Sequence, residues 1–269
     1  MKEDPFHQGE LAAQRLAGQV AAGHAIRDHM PDQHREFFED LPFVLLASAA
    51  ADGAPRARVL HGAPGFIHSP DAHTLQVRCR SELAAGALVG LLGIDFATRR
   101  RNRANGIVRS NVDGMLTLEV RESFGNCPKY ITVRDVEPVA RVAAPVQLSQ
   151  GLDDAARAII SAADTFFVAT SGAGHGLDIS LRGGAPGFVG IDADTLIIPD
   201  LSGNRYFNTL GNLLLDPRAA LLFIGPDSGD VLTLQGVTSI TWPQREWRLQ
   251  VGGATLARAA LPLRWRRRD

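Results

Sequence analysis

The stretch GAPGFIHSPDAHTL at Gly62–Leu75 returns as GAPGFVGIDADTL at Gly184–Leu196, and this repeat limits the possible folds more than any other feature. With Gly62 placed on Gly184, an offset of 122 positions, Phe43–Phe66 and Thr165–Phe188 align without a gap. Each copy reads as an apolar run, a Gly- and Ala-rich turn, a second strand-like run, and then Gly-Ala-Pro-Gly-Phe. That order predicts a β-hairpin followed by a tight turn, with Pro64 or Pro186 presetting φ and the next glycine allowing a positive φ. A helix is predicted before each copy, over Pro31–Leu41 and Gly151–Asp164. In the second, Leu152, Ala155, Ala156, Ile159, Ile160 and Ala163 fall on one face.

Beyond the Thr-Leu strand the copies match again at Leu91–Ile94 and Leu221–Ile224, now 130 positions apart. Leu75 and Leu196 are 121 apart, so the second copy carries nine extra residues between these points. Short strands without strand–helix alternation point to duplicated antiparallel barrel or sandwich units rather than a parallel sheet. The expected division is an N-terminal helical extension over 1–30, a first repeat over 31–141, and a second repeat with a basic tail over 142–269. The segment His7–Met30 reads as one amphipathic helix, and Arg264–Asp269 as a solvated tail.

The extra residues lie in PDLSGNRYFNTLGNLLLDPRAALLF, Pro199–Phe223. A polar turn of Ser202, Gly203, Asn204 and Arg205 leads into a short helix carrying Asn208, Thr209 and Asn212, which ends at Asp216-Pro217. Free N–H groups, a hydroxyl and a guanidinium at a helix start suit a phosphate, and an ordinary capped helix with an exposed Arg is the competing reading. Ser180 and Arg182 alternate on the strand before it and share one face. In the first copy, Gln76–Gly90 has no counterpart of Ser202–Asn212.

The run SLRGGAPGFVGIDADTLIIPDLSGNRYFNTLGNLLLDPRAALLFI (Ser180–Ile224), with NCPKYI (Asn126–Ile131), resembles the pyridoxamine 5′-phosphate oxidase-related FMN-binding split-barrel proteins. The resemblance covers most of residues 30–245. It implies a mainly β fold: two tandem six-stranded antiparallel Greek-key split β-barrels packed as an intramolecular pseudo-dimer, with FMN in the cleft between them. It implies cofactor-binding roles for Ser180, Arg182, Pro199, Asp200, Ser202, Asn204, Arg205, Asn208 and Asn212, with Arg205 foremost. Lys129 and Tyr130 are implied to line the same site. Where the oxidases proper carry R-x-V-L-L-K, Leu177–Arg182 reads LDISLR, so the first Arg is missing and pyridoxamine phosphate is not implied as the substrate. Arg182 in the Lys position keeps a phosphate contact available.

The opposite wall is expected from TRRRNRANG, Thr98–Gly106. On a strand, Arg99, Arg101 and Arg103 share one face and Arg100 and Asn102 the other, either toward an anion or as a solvated basic edge. The implied activity is an FMN-dependent oxidoreductase acting on a small molecule, with NAD(P)H as a candidate electron donor. A non-catalytic FMN-storage or sensor protein, or a haem-binding or haem-degrading one, stays open. No acid or base stands out, so no catalytic residue is assigned.

Other signals narrow the field. Cys79 and Cys127 form no C-x-x-C pair, though Cys127 before Pro128 could open a helix. His24, His29 and His34 are five apart and point in different directions on a helix, so no metal site is expected. SGAGHG at Ser171–Gly176 misses nucleotide-loop spacing and reads as a hairpin turn. A net charge of −1 and a short basic cluster argue against nucleic acid. No apolar h-region and no apolar run of membrane length is present, so a cytoplasmic protein without a membrane partner is expected, with a homodimer left open.

Overall fold

The structure, a computed structural model, describes residues 5–203, 205–242 and 244–268. The chain opens with α1 (Gln8–Leu16). The first repeat follows as α2 (Asp32–Glu39), β1 (Phe43–Ala49), β2 (Pro55–His61), β3 (Ile67–Asp71), β4 (Thr74–Arg78), β5 (Leu88–Asp95), β6 (Arg100–Val112) and β7 (Met115–Gly125). Two connecting strands, β8 (Arg134–Pro138) and β9 (Gln147–Ser149), lead to the second repeat. It comprises α3 (Asp154–Ala162), β10 (Thr165–Ser171), β11 (Leu177–Gly183), β12 (Gly190–Asp192), β13 (Thr195–Pro199), α4 (Asn208–Leu215), β14 (Arg218–Ile224), β15 (Val231–Thr241) and β16 (Glu246–Ala257). The last strand is β17 (Leu263–Arg267).

The two sheets have one topology. The first runs β2-β1-β5-β6-β7-β4-β3 and the second β11-β10-β14-β15-β16-β13-β12, every pairing antiparallel. Registers repeat as well: Phe43 faces His61 as Thr165 faces Gly183, and Leu91 faces Ala104 as Leu221 faces Leu234. Among the described residues no pairing joins the two ends of either path, so each barrel is open, in keeping with a split-barrel pair. Each path holds seven strands where the family resemblance implies six. The short edge strand, β3 or β12, adds the seventh by folding back on β4 or β13.

The quoted turns coincide in geometry. Phe66 N–H donates to Ala63 O at 3.0 Å and Phe188 N–H to Ala185 O at 2.9 Å. Gly65 and Gly187 have φ of 83° and 82°, a region open to glycine. A Cβ on Gly62 would lie 2.4 Å from the Phe66 side chain, and one on Gly184 2.6 Å from Phe188. Both glycines make room for the aromatic that closes its own turn.

Three cores explain the apolar runs. Val44 and Leu46 of β1 pack inside the first sheet, and Phe166 and Val168 of β10 inside the second. The alternate residues Phe43, Leu45, Phe167 and Ala169 meet in a third core between the repeats, with Ile179, Leu181 and Leu222. A strand buried on both faces needs an unbroken apolar run, which FVLLASA and TFFVATS supply. The face of α3 that reads as apolar does pack on the second core.

Bulges at Asn105/Gly106 and Gln235/Gly236 also match. A Cβ on Gly106 would stand 1.9 Å from Glu119 O, and one on Gly236 2.1 Å from Gln250 O, so backbone would have to move. Gly106→Ala and Gly236→Ala are each expected to cost about 1–3 kcal/mol, an ordinary overpacking penalty. Gly253→Ala, with nothing within 4 Å, should be near neutral. Urea midpoints compare the three, and equal midpoints would remove the steric argument.

Both chain ends differ from expectation. The helix of the N-terminal segment stops at Leu16, because Gly18 takes φ of 62° just past the Ala17 cap and the chain turns away. The basic C-terminus is no loose tail but β17, paired with β8 in a two-stranded ribbon. Its alternation buries Leu263 and Trp265, whose ring lies 4.8 Å from Phe96 and 5.1 Å from Phe43. Arg266 and Arg268 face Asp135 and Glu137. No helix among the described residues is long and apolar enough to cross a membrane.

Candidate functional site

Strand alternation divides β11. Leu177, Ile179 and Leu181 enter the core between the repeats, while Asp178, Ser180 and Arg182 face the other way. From the first repeat, β6 presents Arg101 and Arg103 to this face. Gly90 of β5 permits the approach, since a Cβ there would lie 2.5 Å from Leu177 O. Arg103, 3% exposed, makes an ion pair with buried Asp178 and donates from Nη2 to Ser180 Oγ at 2.6 Å. Its guanidinium lies 5.3 Å from the Phe124 ring centre, and Thr209 Oγ1 donates to Ser180 Oγ at 2.9 Å. One buried polar network therefore joins the two repeats and α4.

On one side of this network lies a small pocket lined by Arg101, Arg103, Lys129, Ser180, Arg182 and Pro199, with Tyr130 and Asn126 at its edge. Its volume of about 40 Å³ suits the head of a small anion rather than a whole nucleotide. Arg182 Nη1 donates to Asp200 Oδ1 at 2.8 Å, and Arg245 comes within 4.0 Å of the same carboxylate. Arg101 Nη2 donates to Cys127 O at 2.6 Å. Burial, with Arg103 and Arg182 close by, pushes the Arg101 guanidinium down to about 10. The buried Nε of Arg101, Arg103 and Arg182 each lack a partner among the described residues. Of the four cations lining the pocket, Arg103 pairs with Asp178 and Arg182 with Asp200, and no ion pair among the described residues engages Arg101 or Lys129. The geometry thus leaves donors and positive charge unspent at one point.

The pocket adjoins a wider recess of about 220 Å³, which shares Arg101, Asn126, Cys127 and Gly203 with it and also reaches Arg205 and Tyr206. Tyr130 Oη lies 3.4 Å from Ser202 Oγ, so the predicted turn closes over the Lys129–Tyr130 loop. Gly183 accommodates that loop, since a Cβ there would meet Tyr130 O at 2.1 Å.

The structure thus gathers Arg101, Lys129, Tyr130, Ser180, Arg182, Pro199, Asp200 and Ser202 around one point, with Arg205 exposed at the outer mouth. Asn204 lies outside the described residues. Asn208 and Asn212 do not join them. Both are buried on the other side of α4, where α1 lies over them: Asn208 Nδ2 donates to Glu10, and His7 Nε2 lies 2.8 Å from Asn212 Oδ1. The carboxyl beside the α4 start is therefore the chain's own. Arg99 precedes β6 in a turn with φ of 59° and is exposed, so the alternation expected of Arg99, Arg101 and Arg103 begins only at Arg101. Asn126–Ile131 forms no helix at Cys127. Asp178, Asn126 and Arg245 are the residues the sequence reading missed. Asp178 had a legible signal, since it sits two residues before Ser180 on the same strand face.

The pseudo-symmetric cleft is different. The counterparts of Asp178, Ser180 and Arg182 are Arg56, Arg58 and Leu60, and those of Arg101 and Arg103 are Val231 and Thr233. Leu60 is buried in the first core. The charge arrangement belongs to one cleft.

A family model described as "Pyridoxamine 5'-phosphate oxidase" matches residues 152–258. Among solved structures, HupZ of Group A Streptococcus aligns with a TM-score of 0.29 at 11% identity, over 36% of this chain and 98% of that one. A candidate 5-nitroimidazole antibiotic resistance protein of Bacteroides thetaiotaomicron aligns with a TM-score of 0.30 at 12% identity, over 44% and 93%. No curated protein matches the chain.

Proposed function

We propose, from the match of residues 152–258 to the pyridoxamine 5′-phosphate oxidase family model, that the chain is an FMN-binding flavoprotein of the oxidoreductase class. The observation carrying this reading is the set of three buried guanidinium Nε donors without partners among the described residues, at a pocket lined by cations and no carboxylate. A phosphate carrying about two negative charges has the acceptors and the charge to satisfy them. The residues present therefore fit the terminal phosphate of FMN. Arg101, Arg182 and Lys129 would hold it, with the Ser180 hydroxyl beside them. Asp200 holds Arg182 in place, as Asp178 holds Arg103. Arg205 stands at the mouth, where its guanidinium serves capture more than grip.

FMN, when bound, supplies hydride or electron transfer between a donor such as NAD(P)H and a small-molecule acceptor. The chain's own part is to bind, orient and exclude water. Arg103 and Ser180 form a wall that is nearly closed to solvent, and Thr209 ties that wall to α4. Asp178 and Asp200 are committed to guanidinium partners, which keeps them from serving as general bases.

One FMN per chain is expected, because the pseudo-symmetric cleft has Leu60, Val231 and Thr233 where this one has Arg182, Arg101 and Arg103, and its own Arg56 and Arg58 are exposed. The visible spectrum of the purified protein and acid release of its chromophore test both parts. Flavin bands with a molar ratio near one, and bleaching by NADH or NADPH, are the expected result. A Soret band in their place would sink the flavin reading, and a ratio near two would sink the assignment to one cleft.

A further inference from the structure

The buried Arg103–Asp178 network has a second side. There α1, the start of α4, β6 and β7 enclose a cavity of about 150 Å³, lined among others by Glu10, Asn105, Glu122, Asp178 and Asn208. Asn105 Nδ2 donates to Glu122 Oε2 at 3.2 Å, and Asn208 Nδ2 donates to Glu10 Oε1. Asn105 is 9% exposed and Asn208 7%, and the Oδ1 of each is buried with no partner among the described residues. Turning either amide over would set its carbonyl against a carboxyl and orphan two N–H groups, so the orphaned acceptor is the cheaper arrangement. An acceptor left buried without a donor costs about 1–3 kcal/mol, and the two residues that carry them both line one cavity.

Arg103 does not line the cavity, and it is committed to Asp178, which does. Arg121 stands at the rim, exposed and paired with Glu119. Burial lowers the basicity of His7, whose Nδ1 accepts from Gly9 N–H, and its ring stacks on His175 with centres 5.2 Å apart. What the cavity offers is acceptors, on two walls from different elements: Asn105 and Glu122 on one, Asn208 and Glu10 on the other. A planar group with several N–H donors can bridge such walls, where a point cation reaches one. The volume matches an engineered cavity that takes benzene, so a guanidinium with a short alkyl stem fits.

We propose that this cavity is a binding site for the guanidinium group of a small molecule, distinct from the anion pocket across the Arg103–Asp178 pair. The site does not depend on the flavin reading. Its carboxyls give it a pH dependence with a definite sign. Burial pushes Glu10 up to about 7 and raises Glu122 as well, with Asp178 adding to both shifts. An arriving cation favours the ionised carboxyls, so affinity rises with pH through neutrality and protons leave on binding. His7, His175, Arg103 and Arg121 are the other charged or titratable groups that face Glu10 and Glu122.

Methylguanidinium chloride, titrated into the full chain without flavin and followed by amide NMR, is the test. Saturable shifts at Asn105, Glu122 and Asn208 are expected, with affinity about tenfold higher near pH 8 than near pH 6. Ethylammonium and Mg²⁺ should bind at least tenfold more weakly. Glu122→Gln and, separately, Asn105→Ala should each weaken methylguanidinium binding about tenfold with the spectrum of the folded protein retained. The site is refuted by absent saturation near pH 8, by equal binding of ethylammonium or Mg²⁺, or by wild-type affinity in both folded variants. Because no flavin is present, none of these outcomes bears on the FMN proposal.

Discussion

Arg103→Ala is expected to destabilise the protein by about 3–5 kcal/mol, the usual cost of leaving one charge of a buried pair without its partner. Total stabilities of domains are about 5–15 kcal/mol, so the loss should be visible as a large fall in the urea midpoint. The two side chains are 3% and 7% exposed, which removes the screening that makes surface pairs weak. Arg103 belongs to the first repeat and Asp178 to the second, so the uncompensated carboxylate sits at the junction of the repeats. Ser180 loses its guanidinium donor in the same step. The double variant Arg103→Met with Asp178→Leu should recover most of the loss, since a packed apolar pair of similar volume tends to be neutral or stabilising. A cost below about 1 kcal/mol for Arg103→Ala would mean that the pair behaves as a surface contact and does not join the repeats.

That junction shows what a single sequence can and cannot reveal here. Offsets of 122 and 130 align strands whose registers the structure repeats residue for residue, because each copy must bury the same faces. The apolar runs of β1 and β10 were legible as strands, and their lack of alternation reflects the core between the repeats. The shared face of Ser180 and Arg182 was legible from strand alternation, while Pro199 came only from the family resemblance. Arg103 and Asp178 are 75 residues apart, and nothing local says that an Asp in DISLR will meet the last Arg of RRRNR. The covering of Asn208 and Asn212 by α1 rests on a close approach of Gly9 to Gly211, where a Cβ on Gly9 would lie 2.3 Å from Gly211 O. Local propensity does not report a contact between two glycines so far apart in sequence. The strand β17 was hidden for another reason: the arginine-rich spelling of RWRRR masks an alternation that buries Trp265.

The sequence singles out Arg205, and the structure shifts the weight to Arg101. Arg205 is exposed at the mouth of the recess, where screening reduces the worth of any charge it offers. Arg101 is half-buried, depressed by desolvation and then by Arg103 and Arg182, and keeps its buried Nε without a partner among the described residues. A cation placed at such cost in the free protein is stabilised when an anion arrives, so binding and folding should respond to Arg101→Ala in opposite directions. A charge-assisted hydrogen bond to phosphate contributes about 1.5–3 kcal/mol, so Arg101→Ala should weaken FMN binding about tenfold to a hundredfold. The flavin-free variant should melt at or above the wild-type temperature, because a repulsion and a buried unsatisfied donor are removed with the side chain. Arg205→Ala should weaken binding less, by about threefold or under, the scale of an exposed ion pair. Arg218→Ala serves as the remote control. Arg218 is engaged with Asp216 and with Asp52 O of the first repeat, so its loss touches the junction but not the anion pocket. Titration of the flavin-free proteins with FMN, read by flavin fluorescence, ranks the three. Wild-type affinity in Arg101→Ala, or a larger loss in Arg218→Ala than in Arg101→Ala, would place the phosphate elsewhere.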